Sequence, residues 1–118
     1  MVEETPIRSH RRFNVSLPLW IRFRRDLTKK TAESVLEEEQ TITANIGLGG
    51  CFFYVSKKPL LGVPATMVLT VPVRFSGLQG GQVLCHGKVV RVTDHEIEGK
   101  VGVACTFDSY TFRPARSI

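Results

Sequence analysis

Short runs of β-forming residues, separated by glycine and proline, recur along most of this 118-residue chain. Long helical periodicity is missing, and short strands at this spacing are typical of an antiparallel sandwich or barrel. Residues 35–40 (VLEEEQ) contain helix formers and fit a short helix, but we favour a strand that continues through Ile46. The predicted strands are Val15–Arg24, Val35–Ile46, Cys51–Ser56, Thr66–Val73, Val83–Thr93 and Lys100–Phe107.

The composition is that of one soluble globular domain. Hydrophobic residues make up 42% of the chain and charged residues 23%, which favours a folded protein over a disordered one. No stretch approaches the roughly 20 apolar residues that a membrane span needs, so we expect no membrane insertion. Met1–Ile7 shows no apolar run of the kind found in signal peptides, and we expect a cytoplasmic protein.

The net charge of +5 is concentrated near the N-terminus. Residues 1–30 hold eight basic and three acidic residues, residues 31–60 have a net charge of −2, and the remainder has +2. A basic segment of this kind attracts phosphates, nucleic acid or an acidic protein, and charge alone does not separate these partners.

The three cysteines, Cys51, Cys85 and Cys105, are widely spaced and each lies in a predicted strand. An odd number cannot pair completely, and we expect buried, reduced thiols. A zinc site with His86 is not favoured, because there is no CxxC spacing and adjacent strand residues point to opposite faces. We predict no metal site and no cofactor.

No residue pattern indicates catalysis. The three histidines are scattered, and no serine, cysteine or acid stands in a recognisable nucleophile motif. The acidic residues of Asp94–Glu98 are typical of a solvated turn. Arg91 can be part of a structural ion pair or can line a ligand, and we favour the ion pair. The chain is therefore predicted not to be an enzyme.

Two motifs carry recognition chemistry. Arg8 and Arg12 form an RxxxR pair, and guanidinium groups bind phosphate oxygens or the O6/N7 edge of guanine through two parallel hydrogen bonds. In an extended segment the two side chains emerge on one side, roughly 13 Å apart. The NIGLGG segment, Asn45 to Gly50, lies between two predicted strands, where Gly50 can adopt positive φ and Asn45 can bind backbone or a base edge.

In this order, the two motifs resemble the PilZ family over residues 8–107. Leu17-Pro18 resembles the strand entry of that family, and Asn45 and Gly50 match two of the three fixed positions of its (D/N)xSxxG motif. GKVVRV and VGVACTF, at residues 87–92 and 101–107, resemble its later strands.

The resemblance implies a six-stranded antiparallel PilZ-like β-barrel that binds cyclic di-GMP, a bacterial second messenger. It implies that Arg8 and Arg12 hold guanine and phosphate, with Arg11 adding a contact or charge. Asn45, Gly47 and Gly50 would form the ligand surface of the barrel. Binding would order the N-terminal arm and change what partner proteins contact.

Two features depart from the family. Gly47 replaces the motif serine, and one lost hydroxyl bond costs about 0.5–1.5 kcal/mol, or about 1.5–3 if it met a charged phosphate. After Phe107 eleven residues remain, and Pro114 disfavours a helix, so at most a short C-terminal helical turn fits. The missing helix can leave an apolar opening for a partner or a second copy of the domain.

We therefore predict a basic, mobile N-terminal arm at residues 1–14, a PilZ-like barrel at 15–112 and a C-terminal tail at 113–118. The favoured function is a cyclic di-GMP sensor that contacts an effector protein. The first alternative is a PilZ-type adaptor that has lost nucleotide binding. The second is a nucleic-acid binder using Phe52, Phe53 and Tyr54, which is not favoured because strand alternation would bury part of this trio.

Overall fold

The computed structural model describes residues 12–24, 36–72 and 80–114. These residues form eight strands, and no helix among them is long and apolar enough to cross a membrane. The strands are β1 (Arg12–Phe13), β2 (Pro18–Arg24), β3 (Leu36–Gly47), β4 (Gly50–Val55), β5 (Pro64–Val71), β6 (Gly81–Val92), β7 (Val101–Thr106) and β8 (Ser109–Pro114).

Strands β2 to β7 close into an antiparallel barrel. The strand order is β3-β2-β5-β6-β7-β4, and β3 also pairs with β4, so the sheet returns to its first strand. The short strand β1 pairs with the C-terminal end of β3, and β8 pairs with the first half of β6. The six-stranded PilZ-like barrel predicted from the sequence is confirmed, with two additional strands.

The core is built by residues that alternate along these strands. In β2, Leu19, Ile21 and Phe23 are buried, whereas Trp20 and Arg22 are half-buried on the outer surface, with the Arg22 guanidinium 5.5 Å from the Trp20 ring centroid. Each buried large apolar side chain contributes about 1.5–3 kcal/mol. Other core residues include Phe53, Val55, Met67, Leu69, Val89 and Val103.

The acidic run before Thr41 belongs to strand β3, as favoured from the sequence. Glu38 lies opposite Arg22 of β2, so a positive charge faces the run across the sheet. Glu39 is fixed by Ser56, whose backbone N–H and hydroxyl donate to its carboxylate at 3.0 and 2.9 Å. These cross-strand partners are tertiary contacts, and they outweigh the helix propensity of glutamate.

The residues after Phe107 form a strand that the sequence did not predict. Tyr110 and Phe112 of β8 lie opposite Cys85 and Val83 of β6. Pro114 ends the strand, where a missing backbone N–H is tolerated. Residues 115–118 lie outside the described residues, so the predicted tail is described only at its first two positions, which belong to β8.

A buried threonine fixes the point where the N-terminal segment reaches the barrel. Thr43 is 1% exposed, and its hydroxyl donates to the Val15 carbonyl and accepts from the Leu17 N–H at 2.9 Å. The Thr43 N–H also donates to the Leu17 carbonyl at 3.0 Å. These bonds hold residues 15–17 against β3. Strand β1 lies directly before this attachment point in the chain and pairs with the same strand.

Candidate functional site

The two sequence motifs meet at the C-terminal end of β3. Arg12 lies opposite Gly47 in the β1–β3 pair, and its Nη1 donates a hydrogen bond of 2.8 Å to Asn45 Oδ1. Arg12 is exposed and Asn45 is half-buried, so this contact lies on the outer surface of the barrel. Arg8 and Arg11 lie outside the described residues.

The turn between β3 and β4 is held by backbone contacts. Its tip, Leu48, is 69% exposed, and the Gly49 carbonyl accepts a hydrogen bond from the Phe107 N–H at 2.9 Å. Gly50 then begins β4. A Cβ at Gly50 would lie 2.2 Å from the Cys105 carbonyl oxygen, so only glycine allows β4 and β7 to approach this closely.

The prediction that Gly50 adopts positive φ is wrong. Among the described residues, positive φ occurs at Gly62, Glu98 and Gly99. Gly50 is required by the close approach of a neighbouring strand rather than by a left-handed turn, which is a second common reason for a fixed glycine.

Asn45 belongs to a row of outward-facing residues that crosses three further strands. Asn45 lies opposite Phe52 of β4, Phe52 opposite Ala104 of β7, and Ala104 opposite Arg91 of β6. We call these four residues the β3–β6 row. Arg12 is bound to Asn45 at one end of the row, and the backbone of Arg91 lies at the other end.

Two β-bulges create this row. The register shifts between Thr43 and Asn45 in β3 and between Val89 and Arg91 in β6. Thr43 and Val89 point into the core, and regular alternation would send the residues two positions later inward as well. The extra residue in each strand instead turns Asn45 and Arg91 outward.

The Arg91 guanidinium covers the middle of the row. Its Cζ lies 5.2 Å from the centroid of the Phe52 ring, in a cation–π contact. The sequence favoured a structural ion pair for Arg91; among the described residues its side chain instead contacts this aromatic ring. Although Ala104 points outward, it is 8% exposed, because the side chains from β4 and β6 meet above it.

Phe52 is held from its other side as well. Its ring packs edge-on against Tyr54, with centroids 5.3 Å apart. A Cβ at Gly102 would lie 2.4 Å from Phe52 Cζ, so the ring occupies the space that this glycine leaves open. Phe53 is fully buried, and the predicted separation of Phe53 from its two aromatic neighbours is confirmed.

A separate apolar cavity of about 140 Å³ opens beside the β3–β4 turn. Its lining includes Leu17, Leu48, Val71, Phe107 and Tyr110. Leu48 and Tyr110, which are 69% and 57% exposed, form part of its rim. The described residues that line the cavity are mostly apolar, and it suits an apolar contact.

The three cysteines are free and buried, as predicted. Burial raises the pKa of the Cys85 thiol to about 11 and that of the Cys105 thiol to about 12, and it raises the pKa of Cys51 further. Cys51 lies opposite Cys105 in the β4–β7 pair. Within residues 12–24, 36–72 and 80–114, no group of three or more potential metal ligands occurs.

The structure brings together Arg12, Asn45 and Gly47, and it places Gly50 at the end of the same turn. Sequence reasoning left open that Arg91 lines a ligand, but it did not place Phe52 and Arg91 in one row with Asn45. The signal available in the sequence was Arg91 itself, an arginine in an otherwise apolar strand. The face of β6 on which Arg91 lies depends on the β-bulge after Val89, and no residue type predicts that bulge.

Comparison with known proteins agrees with this fold. The PilZ domain model matches residues 6–114 of the chain. No curated protein matches it. Among solved structures, the chain is similar to the Bacillus subtilis inhibitor of motility MotI/DgrA, with 15% sequence identity and a TM-score of 0.65. The similarity covers 93% of this chain and 45% of that protein, which shows a shared fold.

Proposed function

This chain belongs to the PilZ domain family, and we propose that it is a cyclic di-GMP-binding adaptor that signals by direct contact with another protein. The observation that carries the proposal is the hydrogen bond between Arg12 and Asn45. Residues from the RxxxR motif and from the glycine-rich motif lie on one surface, where a single ligand can contact both.

The chemistry of this surface suits a guanine nucleotide. The guanidinium of Arg12 can bind a phosphate, or the O6 and N7 atoms of guanine, through two parallel hydrogen bonds. The Asn45 amide supplies both a donor and an acceptor for a base edge. Arg8 and Arg11 would add contacts from the N-terminal segment, as the family resemblance implies.

The proposed output is a change in the surface around the N-terminal segment. Strand β1 contains two residues, and its pairing with β3 places Arg12 beside Gly47. A ligand that holds the preceding arginines would order this segment over the barrel and alter what an effector protein meets. The apolar cavity beside Leu48 is a second surface that a protein partner, or a second copy of the domain, could contact.

The test is a calorimetric titration of cyclic di-GMP into the purified protein and three variants. Arg12→Ala should weaken binding by about 10- to 150-fold, because a hydrogen bond to a charged group contributes about 1.5–3 kcal/mol. Arg12→Lys should also weaken binding, since lysine keeps the charge but cannot form the paired hydrogen bonds. An Arg8→Ala variant should weaken it in the same direction.

Arg24→Ala is the matched control. Arg24 is an exposed arginine at the end of β2, opposite Leu36 at the far end of β3 from Asn45. Arg24→Ala removes one positive charge, as Arg12→Ala does, but it should bind cyclic di-GMP as tightly as the wild type. Equal losses in Arg12→Ala and Arg24→Ala would indicate non-specific attraction of a phosphate by a basic protein.

A PilZ-type adaptor without nucleotide binding is the second candidate. The observation in its favour is Gly47, which cannot supply the hydroxyl that the family motif offers. If cyclic di-GMP produces neither heat nor thermal stabilisation at several hundred micromolar, nucleotide sensing is excluded and this second function takes its place.

A further inference from the structure

Strand β8 gives a free edge to a barrel that otherwise closes on itself. Strands β2 to β7 form the closed sheet, whereas β8 pairs with β6 and with no other strand among the described residues. Backbone N–H and C=O groups alternate between the two edges of a strand, so about half of those in Ser109–Pro114 point away from β6. Unpaired groups of this kind form a template for pairing with another strand.

The two faces of β8 differ in chemistry. Tyr110 and Phe112 share the face that continues the inner surface of the barrel, and they are 57% and 44% exposed. The other face carries Ser109, Thr111 and Arg113. The free edge therefore combines unpaired backbone groups with two aromatic side chains that the described residues leave partly uncovered.

Both aromatic rings are held in place from the barrel side. The Phe107 ring packs edge-on against Tyr110, with centroids 6.4 Å apart. A Cβ at Gly81 would lie 2.8 Å from Phe112 Cζ, so the Phe112 ring lies over this glycine of β6. The aromatic face is preformed, and an incoming strand would lose little affinity to ordering it.

We propose that β8 pairs with β8 of a second copy of this chain, antiparallel and about a two-fold axis at Thr111. Directly opposite residues share a face in an antiparallel pair, so the register has to match the aromatic faces of the two strands. An axis at Thr111 places Tyr110 opposite Phe112 of the second copy, and Ser109 opposite Arg113. A register shifted by one residue would place Tyr110 opposite Arg113 and mix the two faces.

Two other axes keep the faces matched, and the residues disfavour both. An axis at Tyr110 places Phe112 opposite Asp108, and an axis at Phe112 places Tyr110 opposite Pro114, so each loses the pairing of Tyr110 with Phe112. The axis at Thr111 keeps it. It also leaves Pro114, which has no N–H to donate, outside the paired residues 109–113.

The charges at the two ends of β8 favour the antiparallel arrangement. Asp108 is exposed and directly precedes the strand, and Arg113 is exposed near its end. Antiparallel pairing brings the acidic end of each strand near the basic end of the other, whereas parallel pairing would bring like charges together. A second copy of β8 is thus complementary to this edge in alternation and in charge.

The dimer joins the strands β3-β2-β5-β6-β8 of both copies into one continuous sheet. The contact is small, since it consists of residues 109–113 and the exposed parts of the aromatic side chains. Interfaces below about 1,200 Å² are typical of weak, reversible complexes, so we expect a dimer that depends on protein concentration. The inference does not depend on nucleotide binding.

The first test is sedimentation equilibrium of the full chain over a wide concentration range. The wild-type mass should rise from that of one chain towards that of two. Thr111→Lys places two ammonium groups opposite each other at the axis and should remain monomeric, because like charges directly opposite are destabilising. Thr70→Lys adds the same charge at an exposed position of β5 and should dimerise as the wild type does. Unchanged thermal unfolding shows that each variant is folded.

The second test reads the register by cross-linking under mild oxidation with copper–phenanthroline. Opposite Cβ atoms lie about 4.5–5.5 Å apart, so Thr111→Cys should form a disulfide with its own copy. Two copies of Arg113→Cys stand four residues apart, about 13 Å along the strands, and should not. A mixture of Arg113→Cys with Ser109→Cys should cross-link. The native cysteines are buried and serve as the background.

The outcomes decide between this interface and its absence. A wild-type chain that stays monomeric up to several hundred micromolar overturns the inference. A dimer that persists in Thr111→Lys does so too, because the copies would then meet through another surface. Equal cross-linking of Thr111→Cys and Arg113→Cys would indicate random collision and would also overturn it. The calorimetric titration of cyclic di-GMP tests the proposed function separately from all of these results.

Discussion

Arg12 and Asn45 are 33 positions apart in the chain, and a hydrogen bond of 2.8 Å joins Nη1 of the arginine to Oδ1 of the asparagine. This bond supplements the two backbone-paired residues of β1, which have little pairing of their own. The attachment of the N-terminal segment at this point therefore depends on a side chain that we also place in the ligand site.

Removing the acceptor should loosen β1. Asn45→Ala leaves Arg12 without its partner, and a bond of this kind contributes about 0.5–1.5 kcal/mol. We expect trypsin to cleave after Arg12 about two- to tenfold faster, since cleavage follows the population of the open segment. Gln40→Ala, an exposed amide on the same strand, is the control and should not change the rate. Equal rates in both variants would show that backbone pairing alone holds β1.

Gly47→Ser should strengthen cyclic di-GMP binding. The substitution supplies the hydroxyl that the family motif carries, and Gly47 does not have a positive φ that would oppose a side chain. The gain should be roughly two-fold if the hydroxyl meets a neutral group, and up to about a hundred-fold if it meets a phosphate. Leu48→Ser, at the neighbouring exposed position, is the control for titration calorimetry. Unchanged or weaker binding in Gly47→Ser would separate this site from the family pattern.

Most strands of the barrel were predicted from local sequence patterns, because apolar and polar residues alternate along them and glycine or proline separates them. Even the acidic start of β3 was assigned correctly. Strand β8 was not predicted: Ser109–Pro114 does alternate polar and apolar residues, but the segment is short, ends in a proline and is exposed throughout. Its pairing with β6 depends on a long partner strand that extends beyond β7, which is a tertiary feature.

The sequence predicted only part of the candidate site. The convergence of Arg12 with Asn45 and Gly47 was expected from the ordered motifs. The sequence also left open that Arg91 lines a ligand, but it did not show that Arg91 shares a row with Asn45. A bulge inserts a residue without a distinctive sequence, so residues beyond it cannot be assigned to a face from periodicity.

Thr43→Val should destabilise the protein although it conserves volume. The buried hydroxyl serves the Val15 carbonyl and the Leu17 N–H, and both would be left without this partner. Leaving buried polar groups unsatisfied costs about 1–3 kcal/mol, measurable as a shift in the urea midpoint. Thr70→Val, at an exposed position of β5, should change stability by no more than about 0.5 kcal/mol. Similar shifts of the urea midpoint in Thr43→Val and Thr70→Val would mean that other groups hold residues 15–17 against the barrel.

Gly50→Ala should be more damaging than its single methyl group suggests. The added Cβ would lie 2.2 Å from the Cys105 carbonyl oxygen, and backbone of β4 or β7 would have to move. Overpacking of this kind costs about 1–3 kcal/mol or more, and thermal unfolding should show it. Leu48→Ala, on the exposed tip of the same turn, should stay close to wild type. If Gly50→Ala is equally stable, the glycine of the motif is required by the ligand rather than by the fold.

The buried thiols predict loss of stability in alkaline solution. Burial raises the pKa of Cys85 from 9.0 to about 11 and that of Cys105 to about 12. Above about pH 9 the unfolded chain loses these protons while the folded protein keeps them, so the free energy of unfolding falls as pH rises. The contribution is complete below the unfolded pKa and disappears as pH passes through the folded values.

Urea unfolding of wild type and Cys85→Ala at pH 7 and at several values up to 10.5 measures this effect. Tyrosine and lysine titrate in the same range, so the quantity of interest is the difference between the two proteins. The cost of the alanine substitution should be largest at pH 7 and should shrink above pH 9, because the variant has lost one thiol whose ionisation favours unfolding. A cost that stays constant with pH would show that the Cys85 thiolate is tolerated in the folded barrel.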